Sequence, residues 1–516
     1  MIKKITIFIF VVVFTFGIDA KAQDADGREM RAVWIATAKR IDYPKSLDSK
    51  KQRDEFVKLL DIYKKIGINA IFFQVRPAAD AFFASKYEPW SEWLTGKQGQ
   101  APNPYYDPLE FMVQECHKRN MEFHAWFNPF RAVATISRAD VAHNHISNTK
   151  PNWVFTYDIN KYFNPGIPEV RDYVIKVISD VVQRYDIDGV HFDDYFYPYP
   201  VRGANKKIIP LPDNNTFLQY NTGFNNIEDW RRDNMSRFIK EMNISIKKIK
   251  PTMKFGISPS GIYRNKGVGK EIGSNTRGFE HYNYLYADVL KWLQEKWIDY
   301  VSPQIYWYIG HRAADYKTLV EWWSKHTYGR HLYIGHGIYM AKANAPDSHW
   351  RNPSELPDQV RMNRANPKVL GSIFYKGATF YRNPLGFNDS LRTNFYKVPV
   401  LPPTMPWLDN VLPPVPTDLF AFKLGKYYFL SWENPKTEDN TTQDTASYYA
   451  VYKFKGERIG QIKKENIYEI VNEPEILITR KRFAFFRKKY TFTVTAFDKL
   501  HNESAPCEPI TIKLKR

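Results

Sequence analysis

Eight times in succession, an apolar run long enough for a buried strand is followed by a stretch of helical period. That alternation restricts the fold more than any other feature. The runs occupy 30–38, 70–77, 122–130, 189–196, 254–261, 300–307, 332–339 and 371–378. The helical stretches fall near 51–66, 107–119, 168–184, 228–249, 282–296, 313–326, 355–365 and 387–396. Strands that alternate with helices predict an α/β fold, a parallel sheet with helices packed outside it. Eight units close a (β/α)8 TIM barrel, and residues 28–397 suffice for one with enlarged loops. An open doubly wound sheet is the alternative. No G-x-G-x-x-G follows the first run, so nothing supports a dinucleotide-binding version of it.

Segments of different character flank this region. Residues 1–22 carry Lys3-Lys4, an apolar run from Ile5 to Phe16, and Ala20-Lys21-Ala22. Basic, apolar and small-residue segments in that order predict a signal peptide, and the apolar run is too short to cross a bilayer comfortably. No later segment is long and apolar enough to span one, so an exported protein is expected, periplasmic or extracellular. Prolines make 398–412 a stiff, extended linker. From 413 to 516, short alternating runs such as "YYFLSW" and "YTFTVTAFD" replace the helical period. They predict a small all-β sandwich of immunoglobulin size. With Trp432 on an early strand, 490–506 resembles the fibronectin type III family. That resemblance implies a spacer or adhesive module and says little about function.

Lys and Arg exceed Asp and Glu by 19. In an exported protein such an excess favours an anionic partner, an acidic glycan or cell-envelope polymer, although a merely solvated basic surface explains it equally well. No nucleic-acid recognition motif is present. Cys116 and Cys507 fall in different predicted domains and are expected to be unpaired; two cysteines cannot build a cysteine metal site. No cofactor or metal is expected, and nothing in the sequence specifies an oligomeric state.

In a (β/α)8 barrel the chemistry collects where strands end and loops begin. Strand two ends with Gln74 and Arg76, and strand three with His124, Trp126, Asn128 and then Arg131. Strand four ends with His191, Asp193, Asp194, Tyr195 and Tyr197. Ser258, Gln304, Tyr306, Trp307, His336 and Lys376 stand at the later ends. One polar strand end means little. Polar ends on most of eight strands predict a wet, functional mouth, because unpartnered polar groups are costly to bury. Alternation puts His191, Asp193 and Tyr195 on one face of strand four and Phe192 with Asp194 on the other. Asp193 is therefore expected to face the mouth. Asp194 is expected to face the helices or open the loop, capping amides or orienting a neighbour; a bulge would reverse the assignment. Trp34, Trp126, Tyr195, Tyr197, Tyr306 and Trp307 offer flat faces to sugar rings. Arg76, Arg131 and Lys376 suit hydroxyls or a carboxylate. Taken singly, each aromatic is better explained as filling of a large barrel.

The blocks "REMRAVWIATAKRIDYP" (28–44), "GINAIFFQVRPAADAFF" (67–83), "FHAWFNPFR" (123–131) and "DGVHFDDYFYPYP" (188–200) resemble the glycosyl-hydrolase-like family 10 domain. "FGISPSGIYRN" (255–265) and "VSPQIYW" (301–307) extend the likeness, which covers 28–395. It implies a (β/α)8 barrel, an exported bacterial protein and glycoside hydrolysis. Some relatives act on cell-wall glycan strands that lack peptides. The strand-four block also resembles that of family 18 chitinases, D-G-x-D-x-D-x-E, through Asp188, Gly189 and Asp193. His191 replaces an aspartate there and Tyr195 replaces the catalytic glutamate, so the chitinase acid does not carry over. In the amylase-like group the nucleophilic aspartate matches Asp193.

Glycoside hydrolysis normally takes two carboxyl groups flanking the bond, one acid and one nucleophile or base. Regular strand geometry makes Asp193 and Asp194 a poor pair, and no other strand end carries a carboxylate. The loops offer Asp80, Glu88, Asp158, Asp213 and Glu228. On an N-acetylated sugar the substrate's acetamido oxygen can replace the protein nucleophile, with Tyr306, Gln304 or Asn128 holding the acetamide. Two other classes stay open. One is a barrel that binds a carbohydrate polymer without cleaving it. The other is a metal-dependent deacetylase using His191, Asp193 and His124, although their spacing matches no metal motif.

Overall fold

The computed structural model describes residues 27–136, 141–267, 272–425, 427–434, 445–478 and 488–514; the export segment expected at 1–22 lies outside them. Eight parallel strands, one from each apolar run, close into a barrel. They are β1 (Met30–Ile35), β2 (Ala70–Arg76), β3 (Glu122–Phe127), β4 (Gly189–Phe192) and β5 (Lys254–Ile257). Then come β6 (Tyr300–Val301, continuing as Gln304–Ile305), β7 (His331–Gly337) and β8 (Val369–Tyr375). Pro303 interrupts β6, since proline has no N–H to give a ladder. Closure survives because Tyr300 pairs with Gly256 on one side and His331 on the other, while β8 returns to β1.

Local chemistry explains the helices. In Ser49–Ile66 the Asp48 carboxylate accepts from the Lys51 N–H at 2.8 Å, and Gly67, at φ 100°, closes the far end. Phe56, Leu60 and Tyr63 lie one turn apart and bury the same face against the strands. Helices Pro108–His117, Pro168–Arg184, Ile227–Ile249, Tyr316–Ser324 and Glu355–Ala365 each bury an apolar face in the same way. The outer faces of the strands and the inner faces of these helices form one continuous apolar sleeve.

The lumen is packed separately. Trp34, Phe72, Trp126, Tyr300 and Tyr333 fill it, and small residues on neighbouring strands, Ala32, Ala70, Gly189 and Gly256, make the room. A Cβ on Gly256 would lie 2.1 Å from the Tyr300 ring. Gly256→Ala is therefore expected to cost on the order of 3 kcal/mol, as overpacking of a filled core does. It would be read as a lowered urea midpoint at unchanged helical content; an unchanged midpoint would mean the ring has room to yield.

After β3 the chain makes a small antiparallel sheet of Arg131–Val133, Val154–Tyr157 and Asn160–Phe163. The sequence reading did not foresee it. At the barrel's other end the proline-rich segment does more than extend. Met405, 1% exposed, packs into the lumen, and the Trp407 indole donates to Asp299 Oδ1 at 2.9 Å. Beyond it lies an all-β domain of two antiparallel sheets. One holds Thr417–Leu424, Tyr427–Glu433 and Glu475–Ile478; the other holds Ile467–Val471, Tyr448–Lys455, Lys488–Phe497 and Ile510–Leu514. Ile467–Val471 was not anticipated, because as a half-exposed edge strand it carries little apolar pattern. Cys116 and Cys507 are both free and buried, one in each domain. Among the described residues no helix is long and apolar enough to cross a membrane.

Candidate functional site

β4 ends at Phe192 and the chain turns at once, the Phe196 N–H bonding the Asp194 carbonyl at 3.0 Å. Strand alternation lapses there, and both carboxylates reach the mouth. Of the two places expected for Asp194, it takes the second: it opens the loop and does not face the helices. Its Oδ1 accepts from Gln304 Nε2, at the end of β6, at 3.2 Å, and its Oδ2 accepts from the Tyr199 hydroxyl. Asp193 Oδ2 accepts from Asn128 Nδ2, just past β3, at 2.7 Å, and Oδ1 from the Tyr195 N–H at 3.3 Å. Gln304 is oriented by a second bond, donated to the Ser258 carbonyl at 3.0 Å.

Both carboxyls are nearly sealed from water, 6% exposed for Asp193 and 5% for Asp194. Burial pushes Asp193 up to about 7, with Asp194 beside it adding to the rise; Arg131, the Tyr195 N–H and Trp126 pull the other way. Burial also raises Asp194, against the donors Tyr199 and Gln304. Two like charges in one water-poor site do not both ionise near neutrality, so the pair retains a proton that favours Asp193.

The walls are aromatic and basic. The Arg131 guanidinium lies 4.2 Å above the Tyr195 ring. Tyr306 stacks on Tyr375 at 5.8 Å, and Tyr339 meets both edge-on. Lys376, half-buried beyond β8, stands instead by Asp42, whose pKa is raised by burial, a rise that Lys376 partly opposes. Two polar atoms of the strand ends, Asn128 Oδ1 and Ser258 Oγ, are buried without a hydrogen-bond partner. Native proteins leave few such atoms unpaired. A ligand rich in hydroxyls and amides would satisfy them.

The structure therefore brings together Asp193, Asp194, Trp126, Asn128, Arg131, Tyr195, Ser258, Gln304 and Tyr306. The other expected site residues sit elsewhere. Gln74 Oε1 is used by the Thr37 and Ala38 N–H groups, each at 2.9 Å. A bulge between Gln74 and Arg76 turns Arg76 away, into a buried two-point pair with Glu88. His124 and His191 lie deeper in the lumen, both fully buried. Tyr197 packs against Tyr286 in the sleeve, and Trp307 leans on the sleeve over Gly261. His336 faces outward to Gln359 and Ser372, each at 3.0 Å.

The loop carboxylates divide in the same way. Arg76 neutralises Glu88 and Arg231 neutralises Asp213. Asp158 and Glu228 are exposed, and Asp80 is 1% exposed under the loop after β2. None of them shares a partner with Asp193. For a metal site, both ring nitrogens of His191 and of His124 are already committed to protein groups. Three residues at the mouth, Tyr339, Tyr375 and Tyr199, were not among those expected from the sequence. Tyr375 shares the inward alternation of Ile373 and could have been found by it. Tyr199 sits between Pro198 and Pro200, where no alternation exists to read.

Comparison with known proteins places this geometry in a family. The profile described as Glycosyl hydrolase-like 10 matches residues 29–352. The chain is 43% identical over 514 residues to Glycosyl hydrolase YngK of Bacillus subtilis (strain 168), an alignment covering 98% of this chain and 97% of that protein. It is 37% identical over 372 residues to Glycosyl hydrolase DigH of Escherichia coli (strain K12), covering 67% and 82% respectively. Among solved structures, the PgaB (BpsB) glycoside hydrolase domain from Bordetella bronchiseptica aligns with a TM-score of 0.45 at 12% identity, over 70% of this chain and 98% of that one. With a profile matched over most of the barrel and a relative alike from end to end, this chain belongs to the glycosyl hydrolase-like 10 family.

Proposed function

We propose that this protein is an exported glycoside hydrolase acting on an N-acetylated glycan, with Asp193 as its general acid and Asp194 as the carboxylate that steadies the substrate's acetamide. The observation that carries the reading is the coupled pair at the mouth, in which burial holds a proton on Asp193 near neutral pH. A group pushed up to about 7 is suited to deliver a proton to a glycosidic oxygen and to recover one from water afterwards.

The route follows from the loop carboxylates: Glu88 and Asp213 are paired with arginines, and Asp158 and Glu228 are exposed, so the acetamide takes the nucleophile's part. Asp193 protonates the leaving oxygen as the bond from the anomeric carbon to that oxygen breaks. The substrate's acetamido oxygen closes on the anomeric carbon, and Asp194 accepts the acetamide N–H. Water then opens the ring, giving its proton to Asp193. The unpaired Asn128 and Ser258 atoms and the ring faces of Tyr195 and Tyr306 suit a hydroxyl-rich, ring-shaped ligand. Peptide-free glycan strands of the cell wall are the substrate class that fits both the N-acetyl requirement and an exported enzyme. YngK and DigH, both called glycosyl hydrolases, agree with this class of reaction. For the C-terminal domain, its three-plus-four arrangement of strands supports a fibronectin type III-like sandwich.

Incubating the full chain with peptide-free cell-wall strands, chitin oligomers and an acidic polysaccharide, with mass-spectrometric detection of products, tests the reading. Cleavage of the N-acetylated polymers is expected. kcat/KM should fall as pH rises through about 7, because the acid form of Asp193 is lost. Binding without product from any polymer would leave a glycan-binding barrel instead.

A further inference from the structure

We propose that the C-terminal domain is built into the working parts of the barrel: His501 is a positioning residue that acts, through a one-way chain of hydrogen bonds along the lumen, on Trp34 in the floor of the mouth. Only the kinetic arm of the test below rests on the glycosidase reading.

His501 sits in a tight turn, with φ at 67° and its N–H on the Asp498 carbonyl. Arg28 donates to its carbonyl at 2.5 Å. The turn enters the open base of the barrel, and His501 is 5% exposed there. Its Nε2 meets Glu122, the first residue of β3. Lys254, the first residue of β5, reaches the same carboxylate. From Glu122 Oε2 the chain climbs to His124 Nε2 at 2.8 Å, and from His124 Nδ1 to the Tyr300 hydroxyl at 3.0 Å. It continues to His191 Nδ1 at 3.2 Å, and from His191 Nε2 to the Trp34 indole at 3.2 Å. Every member is buried.

Chemistry fixes the direction from both ends. An indole N–H can only donate. His191 Nε2 therefore accepts, its proton is on Nδ1, and it donates to the Tyr300 oxygen. The Tyr300 hydroxyl must then donate to its other partner, His124 Nδ1, which leaves the His124 proton on Nε2, aimed at Glu122. Against burial, Lys254 and His501 hold the Glu122 carboxyl well below the usual carboxylate range, so it accepts throughout. Because Glu122 can only accept, its short contact puts the His501 proton on Nε2, and Nδ1 then accepts from the Tyr448 hydroxyl at 2.7 Å; Lys254 Nζ, 3.2 Å from that Nε2, gives its own proton to the Glu122 carboxylate. Burial keeps His191 and His501 neutral. A chain capped by a donor that never accepts cannot pass a proton to the mouth. It is a brace, not a relay, and its bonds polarise one another.

The brace ends where it matters. The Trp34 ring lies edge-on to Tyr375 at 6.4 Å, and Tyr375 stacks on Tyr306 in the wall of the mouth. His191 lies on β4, two residues before Asp193. The seat of one side chain from the C-terminal domain thus sets the floor on which the substrate rests.

Nitrogen-15 NMR of the full chain, labelled at histidine, reads the chain without any substrate. The expected result is neutral His191 and His501, with the proton on Nδ1 in His191 and on Nε2 in His501, and an Nδ1 without a proton in His124. A proton on His124 Nδ1, or a charged His191 at neutral pH, would overturn the proposal. In full-chain His501→Ala the Trp34 indole N–H resonance, identified by its loss in Trp34→Phe, should shift. kcat/KM should fall on the order of ten-fold, chiefly through KM, since no member of the chain bonds to either carboxylate. His501→Gln restores an N–H to Glu122 and should recover most of the loss. A folded His501→Ala with an unshifted Trp34 resonance and unchanged kcat/KM sinks the proposal. If His501→Ala does not fold, the wild-type tautomers and His501→Gln decide. If the wild type cleaves no glycan, the tautomers and the Trp34 resonance still decide, so the two failures are told apart.

Discussion

Asp193→Asn should lose between about 10²- and 10⁴-fold in turnover, the share a positioned general acid supplies, and should be more stable than the wild type at neutral pH. The amide has nearly the shape of the carboxyl, and its oxygen still accepts from Asn128, so glycan binding should survive. The stability gain follows from proton linkage. Burial raises the folded-state pKa from the ordinary 3.8 to about 7, so the folded protein binds this proton more tightly than the unfolded chain does. The stabilisation it gives is fully present below the ordinary value and is lost as pH rises through about 7. A shift of this size corresponds to a few kcal/mol, at about 1.4 kcal/mol per pKa unit. The variant has no such group. Its stability should match the wild type only below the ordinary value of 3.8, exceed it increasingly as pH rises from there to about 7, and keep that lead in mild alkali. Urea unfolding of both proteins across that range, paired with product assays, checks the claim. A variant that still turns over substrate, with no pH-dependent stability difference, would remove Asp193 from the role of acid.

The barrel was legible because buried parallel strands read as apolar runs and their covering helices as amphipathic ones. Each of the eight runs became a strand. The site was legible only where strand geometry persists to the strand's end. Asn128 and Gln304 came out at the mouth because β3 and β6 carry their alternation that far. Asp194 did not follow its alternation, because β4 stops one residue before Asp193. Arg76 did not because of the bulge that precedes it. His336 exposes a further limit. In a barrel the outward strand face is as buried as the lumen, and a polar residue is at home there when Gln359, Ser372 and Asn363 satisfy it. Polarity at a strand end therefore does not tell inside from outside. Nothing in the sequence could connect His501 with Glu122. The contact joins residues 379 positions apart, and a lone histidine in a turn carries no mark of its destination.

Arg76 makes the second large prediction, and it separates scaffold from site. From the sequence this arginine belongs to the sugar-binding rim. In the fold it is fully buried, with two bonds of 2.7 and 2.6 Å to Glu88 and a third, at 2.6 Å, to the Asn128 carbonyl. Removing one partner of such a pair strands the other as an unpaired charge in the core. Arg76→Ala should therefore cost about 3–5 kcal/mol of stability. Removing both partners in Arg76→Met/Glu88→Met eliminates the stranded charge and should return much of that loss. Activity should not recover in step. The double variant still lacks the donor that holds the Asn128 backbone, and Asn128 is the residue that grips Asp193. The expected pattern is thus a stability that is largely restored beside a kcat/KM that stays low, measured by urea unfolding and by product formation on the same samples. A single Arg76→Ala variant with wild-type stability and only a raised KM would instead return Arg76 to the rim and make its bonds to Glu88 incidental.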